Sequence, residues 1–483
     1  MNYRMIARVL GWILLIYAAL MLLPLAAGLW YGESVLNFLV TIGLTAALGG
    51  LLLLPKPRTN SLVARDGFVI VGIGWIAISL LGALPFVISG SIPRYVDALF
   101  ETASGLSTTG ATVVTDIGAM TQNHRGDMFW RLFTHWIGGM GVLVFLMAVL
   151  PMSGEHSMHI MRAEIPGPTV GKLVPRARKT AMTLYLIYIG LTLVETVFLL
   201  CGGMSFYDAL LHACSTAGTG GFSTNPDSIG GFHSSYIETV ITVFMFLFGV
   251  NFNLYFLLLI GHWKEALKNE ELHWYLGIIA CAALLLTLGI RKLYGSVGES
   301  LHQAFFNIGA LLSTTGFGTV DFTKDWPEYC KWILILLMFC GGCAGSTGGG
   351  IKLSRLMILG KHEVAEIRQM VRPRSVVRVQ LDGKRVEKST VKAASTFFTL
   401  YMGLLLLFSL LVSLDGVDIA TSFTASLSCL SNIGPGMTGA IGPAGNFAFF
   451  SDGTKLLLTL AMLMGRLEIY PILVLVSRRT WKR

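Results

Sequence analysis

Apolar runs long enough to cross the roughly 30 Å hydrocarbon core of a bilayer recur from one end of the chain to the other. They predict full helical spans near residues 9–30, 36–54, 66–88, 127–150, 179–202, 235–261, 272–291, 330–360, 391–414 and 454–477. Ten spans put both termini on the same side of the membrane. Arg4 and Arg8 ahead of the first run imitate a signal peptide. That run is long, however, and a second follows almost at once, so it reads as an uncleaved first helix.

Between the spans, four segments share a second pattern. Each has a half-apolar stretch of about a dozen residues, too short to cross (about 18 Å as a helix), then a run rich in Ser, Thr and Gly, then a polar loop. The first is Asp97 to Leu106 followed by Ser107-Thr108-Thr109-Gly110. The second is Tyr207 to Cys214 followed by Ser215-Thr216-Ala217-Gly218-Thr219-Gly220-Gly221. The third is Leu301 to Leu312 followed by Ser313-Thr314-Thr315-Gly316. The fourth is Asp418 to Leu430 followed by Ser431-Asn432-Ile433-Gly434. With Gly110, Gly220, Gly316 and Gly434 aligned, the intervals are 110, 96 and 118 residues, an internal fourfold repeat. The expected fold is an all-α polytopic membrane protein. It comprises four pseudo-repeats of span, re-entrant helix, filter loop and span around one central pore, plus two extra N-terminal spans. The boundaries are 1–60 for the extra spans, then 61–155, 156–265, 266–375 and 376–483 for the repeats.

Composition supports this class and sets the orientation. Of the 483 residues, 54% are hydrophobic and 13% charged, about half the charge of a soluble domain. With the N-terminus inside, 25 of the 36 basic residues lie on the inner face, as the positive-inside rule requires. The outer face then holds 15 acidic against eight basic residues, which draws cations towards it. The net charge of +9 is therefore topological and does not point to nucleic acid. The seven scattered cysteines form no disulfide framework.

The chemistry follows from the repeats. Half a span must turn back inside protein or beside water, and four such turns imply one shared cavity. Each half-helix aims its partly negative C-terminal end at that cavity. Glycine lets the turn take positive φ, so carbonyls can face one axis and replace the hydration shell of a monovalent cation. No carboxylate lies inside the turns, which favours potassium or a similar weakly hydrated ion. Small residues that merely let helices pack closely would explain one such cluster better than four. The candidate ion-coordinating residues are Thr108, Thr109, Gly110, Thr219, Gly220, Thr315, Gly316, Asn432, Ile433 and Gly434. Asp97, Asp208 and Asp418 read as caps of the half-helices.

At these residues the chain resembles the Trk/Ktr/HKT superfamily of potassium transport proteins, and within it the bacterial TrkH/TrkG-like membrane subunits. Further matching motifs are Gly341 to Lys352 and Gly465-Arg466-Leu467-Glu468, and the resemblance covers essentially the whole chain. It implies potassium as the transported ion and selectivity tied to the four filter glycines. It also implies a bacterial cytoplasmic (inner) membrane location, a homodimer, and a cytosolic TrkA-like ring of nucleotide-binding RCK-type subunits. No nucleotide is expected on this chain, which has no Walker motif. Gly434-Pro435-Gly436-Met437-Thr438-Gly439 satisfies a dinucleotide fingerprint but lacks its strand and βαβ context.

Two features predict a gate. After Trp332 to Phe339 the chain carries Gly341, Gly342, Gly345, Gly348, Gly349 and Gly350. At about 1 kcal/mol lost per helical glycine, the span should break there. The resemblance implies that this intramembrane loop obstructs the pore and moves on activation. Arg466 sits inside the last apolar run, where a charge costs roughly 2.5–3.5 kcal/mol. It is either ion-paired, with Glu195 or Glu468, or a positive barrier just below the filter. Asn251 and Asn253 are candidates to face the cavity or to bond between helices. No enzyme motif is present, and a polytopic enzyme leaves the fourfold pattern unexplained. A potassium symporter coupled to sodium or protons remains the alternative, with Glu195 and Glu468 as its acidic candidates.

Overall fold

A computed structural model of the chain describes residues 1–55, 62–141, 177–373 and 378–481. The described elements are helical apart from two short ladders. Cys340–Gly341 runs parallel to Ile351–Lys352, and Gln380–Leu381 pairs antiparallel with Lys384–Arg385. Asp382 and Gly383 close the latter at φ of 50° and 71°, an Asp-Gly pair suited to a two-residue hairpin turn.

Six helices among the described residues are long and apolar enough to cross a bilayer: Tyr3–Trp30, Leu36–Leu53, Arg65–Ser89, Ala181–Cys201, Glu270–Ile290 and Lys388–Asp415. They match six of the ten expected spans. The other four, the second span of each repeat, do not continue as expected. Arg125–Gly139 stops before Gly141, at φ 80°, and residues 142–150 of that expected span lie outside the described residues. Ser235–Phe248 and Phe252–Leu259 meet at 90°. Glu328–Phe339 and Leu353–Val371 flank the glycine segment, which breaks the helix where the glycines predict. Asp452–Arg466 and Tyr470–Val476 are separated by Glu468 and Ile469 at φ of 54° and 70°. Unbroken spans over 235–261 and 454–477 are therefore wrong. Apolar residues resume beyond both breaks, but the backbone turns at Asn251 and at Glu468, where its free groups find other partners. At the first break Gly249 O accepts the Cys343 N–H (2.9 Å), and the Asn251 side chain caps the next helix at Asn253 N (2.9 Å).

Between each outer span and its broken partner lies a short helix: Tyr95–Leu106, Phe206–Gly218, Val297–Leu312 and Ile419–Ser431. Each packs on both helices of its own repeat and also on the broken helix of the preceding one. Asp452–Arg466 packs on Tyr95–Leu106, so the fourth repeat closes on the first and the four surround one axis. Asp418 caps its helix as expected, accepting from Thr421 N (3.2 Å). Asp97 and Asp208 do not cap. Asp97 pairs with Lys455 (2.6 Å). Ser205 caps at Asp208 N (3.1 Å), while the Asp208 carboxylate accepts from Thr224 Oγ1 (2.7 Å).

The N-terminal pair stands outside this ring. Tyr3–Leu20 and Leu36–Leu53 cross closely, because a Cβ on Gly11 would lie 2.8 Å from the Gly49 carbonyl oxygen and one on Gly49 3.0 Å from that of Gly11. Small residues at a crossing let membrane helices approach in this way. The basic segment 151–176 and residues 374–377 lie outside the described residues.

Candidate ion pathway

All four short helices end in the same three-residue turn. Its first residue is left-handed: Thr108 (φ 58°), Thr219 (56°), Thr314 (61°) and Asn432 (57°). That conformation costs a non-glycine residue roughly 1–2 kcal/mol. The next N–H reaches back five residues into the helix end. Thr109 donates to Ser104 O (2.8 Å), Gly220 to Ser215 O (2.9 Å), Thr315 to Ala310 O (2.8 Å) and Ile433 to Ser428 O (3.0 Å). The third residue is a glycine at positive φ: Gly110 (79°), Gly221 (78°), Gly316 (80°) and Gly434 (104°).

This corrects the register of the second loop. Gly221, and not Gly220, stands where Gly110, Gly316 and Gly434 stand, while Gly220 occupies the place of Thr109, Thr315 and Ile433. The extra glycine has a local cause. A Cβ on Gly220 would overlap the imidazole of His135, which is fully buried, bonded to Ser215 Oγ (2.9 Å) and stacked on Phe222.

The four turns close into a ring. A Cβ on Gly110 would overlap the carbonyl oxygen of Gly220, one on Gly221 that of Thr315, and one on Gly316 that of Ile433. One on Gly434 would lie 2.8 Å from that of Thr109. Each glycine thus abuts the middle carbonyl of the next repeat, and the fourth abuts the first. A wall of backbone carbonyls, fixed by neighbours on both sides, offers neutral oxygen ligands and no carboxylate. A weakly hydrated monovalent cation suits such a donor set.

Outside the ring lies a vestibule of about 610 Å³. All four glycines contribute to its lining, and Asp227 and Asp321 stand on its wall. Burial pushes the Asp321 carboxyl up, but hydrogen bonds from Thr323 and Lys324 outweigh it and hold the group below its ordinary range.

Side chains that sequence reasoning missed brace the ring from behind. Arg131 Nε donates to Glu101 Oε1 (2.6 Å), both groups being buried. Glu101 also accepts from Thr112 Oγ1 and Val113 N (2.9 Å each). Arg131 bonds Ser223 O (3.3 Å) and lies 3.5 Å over the Phe222 ring. The pair therefore ties the first short helix to the descending strands of two loops. His212 with Ser223 Oγ (2.9 Å) and Gln303 with Thr319 Oγ1 (2.6 Å) make similar ties in repeats two and three. The available signal was Glu101 itself, a carboxylate inside the half-apolar stretch that follows Asp97.

Directly inside the ring sits the glycine segment. A Cβ on Gly349 would overlap Ser431 O, and one on Gly348 would lie 2.8 Å from Ser313 O. Gly349 N donates to Thr314 Oγ1 (2.7 Å), and Cys343 N and Gly345 O bond the break at Gly249 and Phe252. Gly341 lies in the parallel ladder and Gly342 O accepts from Leu353 N (3.3 Å). Gly345 and Gly350 take positive φ (70° and 67°). Asn251 and Asn253 face this segment, near Gly345. Lys352 Nζ turns back onto Gly348 O and Ser346 Oγ (3.2 Å). Glu271, also missed, accepts from Ala344 N (2.8 Å) and Ser354 N (3.0 Å) through one oxygen, so one carboxylate holds both flanks of the segment.

Arg466 spans from the segment to the first repeat. Its guanidinium donates to Thr347 O (2.7 Å), Gly139 O (2.5 Å) and Gly138 O. Glu468 takes Arg355 instead, with Nη1–Oε1 at 3.0 Å and Nη2–Oε2 at 2.5 Å.

Comparison with known proteins gives concordant matches. The family model described as TrkH, cation transport protein, matches residues 35–291 and 291–482. The Trk system potassium uptake protein TrkH of Salmonella typhimurium is 35% identical over 489 residues, covering all of both chains. The Trk system potassium uptake protein TrkG of Escherichia coli is 35% identical over 492 residues, covering 100% of this chain and 99% of its own. The crystal structure of the potassium transporter TrkH from Vibrio parahaemolyticus superposes with a TM-score of 0.89 at 32% identity, with both chains fully covered.

Proposed function

This chain belongs to the TrkH family of cation transport proteins, and on that premise we propose that it takes up potassium across the bacterial cytoplasmic membrane through a gated, potassium-selective pore. It is a multi-pass membrane transport protein and not an enzyme. The observation that carries the finer reading is the closed ring of four glycines against four carbonyls. In this reading the carbonyls of Thr108, Thr109, Gly110, Thr219, Gly220, Gly221, Thr314, Thr315, Gly316, Asn432, Ile433 and Gly434 coordinate the ion. The segment Gly341–Gly350 and Arg466 close the path beneath it. The four repeats divide near residues 155, 265 and 375. The exposed Val364, Ile367, Met370 and Val371 of the inner-face helix offer a contact surface to a second copy or to a cytosolic regulatory ring.

The test is ion flux from liposomes holding the purified chain, with potassium, rubidium, sodium and lithium gradients in turn and Gly316→Asp as control. Potassium and rubidium flux without a second gradient, lost in the control, is expected. One observation favours the coupled symporter as a second reading: Glu195 is fully buried and has no ion-pair partner among the described residues. Flux only with an opposing sodium or proton gradient would select that reading. A silent protein would be retested as Arg466→Ala, which separates a shut pore from none.

A further inference from the structure

We propose that an anionic phospholipid of the inner leaflet binds this chain, with its phosphate on Arg368 and Arg378 and an acyl chain along Trp274, Gly277 and Ile278. A cavity of about 660 Å³ lies between the start of the helix Glu270–Ile290, the helix Leu353–Val371 and the strand Gln380–Leu381. Its walls are apolar, with Trp274, Ile278, Leu356 and Met357 among them, and its rim carries Lys361, Arg368 and Arg378. A shallower cleft of about 390 Å³, lined by His273, Trp274, Gly277, Ile278 and Cys281, shares two of these residues. Together they form one trough running up the exposed face of Glu270–Ile290.

Three observations identify the occupant. The trough follows this spanning helix from His273 to Cys281, about 12 Å at 1.5 Å per residue, which lies within the roughly 15 Å half-thickness of the hydrocarbon core. Its mouth lies on the side where the chain gathers its basic residues, and Trp274, 53% exposed, sits there as an interfacial aromatic does. Of the three cations at the rim, Lys361 is engaged by Glu270 and Gln380 O. Arg368 and Arg378 are exposed and have no carboxylate partner among the described residues. An apolar trough that lies within one leaflet and has two unneutralised arginines at its mouth fits a phosphate with an acyl chain attached. A second copy covering the same face would bring its own arginines towards these.

The larger cavity also touches Cys340 and Leu353, the residues that flank the glycine segment. A bound lipid therefore braces both hinges of that segment. Binding stands independently of the gate reading, and only its effect on flux rests on it.

The test is native mass spectrometry of the purified chain exchanged into phosphatidylglycerol or phosphatidylcholine. One retained phosphatidylglycerol per chain is expected, with phosphatidylcholine lost. Arg368→Gln with Arg378→Gln should weaken retention by about tenfold or more, since each interfacial basic residue contributes to anionic-lipid affinity. Gly277→Leu should abolish it by filling the trough. A Cβ at Gly277 meets no atom within 4 Å, so that variant should melt like the parent and separates a filled site from a misfolded chain. Equal retention of both lipids, unchanged retention in the variants, or lipid-free dimers with the trough occluded would each overturn the proposal. In liposomes, loss of the phosphatidylglycerol effect on flux with binding intact would count against the gate reading alone.

Discussion

The filter ring and the glycine segment beneath it are both glycine-rich and both irregular, yet they are held in opposite ways. In the ring each glycine is trapped against a carbonyl of the next repeat, and every turn is bonded back into its own helix. Its closure is backbone against backbone, and buried side chains such as the Glu101–Arg131 pair brace it only from behind. The glycine segment is tied to its surroundings in part by removable side chains: Glu271 at both flanks, Lys352 on Gly348 O, Arg466 on Thr347 O and Thr314 on Gly349 N. Cyclic backbone closure suits a part that must keep its dimensions. Side-chain tethers suit a part that must let go.

The sharpest way to break this contrast is to add a methyl group to the ring. Gly316→Ala combines a left-handed φ with overlap of a backbone carbonyl, and rubidium flux is expected to fall by roughly 100-fold or more, the equivalent of about 2.8 kcal/mol. Flux above a tenth of the parent's would show the ring to be pliable. The converse is expected of the segment. Arg466→Ala removes the guanidinium that bonds Thr347, Gly138 and Gly139, and flux without any cytosolic partner should rise by about tenfold. Unchanged or reduced flux in a folded variant would remove Arg466 from the barrier.

A smaller effect separates tether from scaffold at Glu271. Charge-assisted bonds are worth roughly 1.5–3 kcal/mol each. Glu271→Ala should therefore raise flux several-fold and lower the melting temperature by a few degrees. Glu271→Gln keeps an acceptor oxygen for both N–H groups and should lie near the parent. Equal behaviour of the two variants would argue against the clamp. The smallest effect is expected in the vestibule. Asp227→Asn with Asp321→Asn should reduce potassium uptake about twofold at low ionic strength and not at high salt, because the carboxylates act only through a screened field.

The sequence made the spans, the short helices and the glycine break legible, because each is a local pattern of apolarity or composition. It hid the breaks at Gly249–Asn251 and Glu468–Ile469. There the flanking residues on both sides are apolar, and the turn is stabilised by partners such as Cys343 N, 94 residues away from Gly249 in the chain. It hid the Glu101–Arg131 brace for the same reason, since neither residue announces the other. The second filter loop is ambiguous by one residue in the sequence, because Thr219-Gly220-Gly221 offers two glycines, and aligning on the first of them is wrong. The residue that decides between them, His135, lies on a helix of the preceding repeat.

That register is where the ring is most directly tested. Rubidium flux would be compared for Gly220→Ala and Gly221→Ala, each alone and combined with His135→Ala. If Gly220 is a glycine only because the imidazole fills its side-chain space, His135→Ala should restore flux to Gly220→Ala. Gly221→Ala, which collides with the Thr315 carbonyl, should stay inactive in both backgrounds. Rescue of Gly221→Ala, or a Gly220→Ala variant that stays inactive without His135, would contradict a fourfold ring closed by Gly110, Gly221, Gly316 and Gly434.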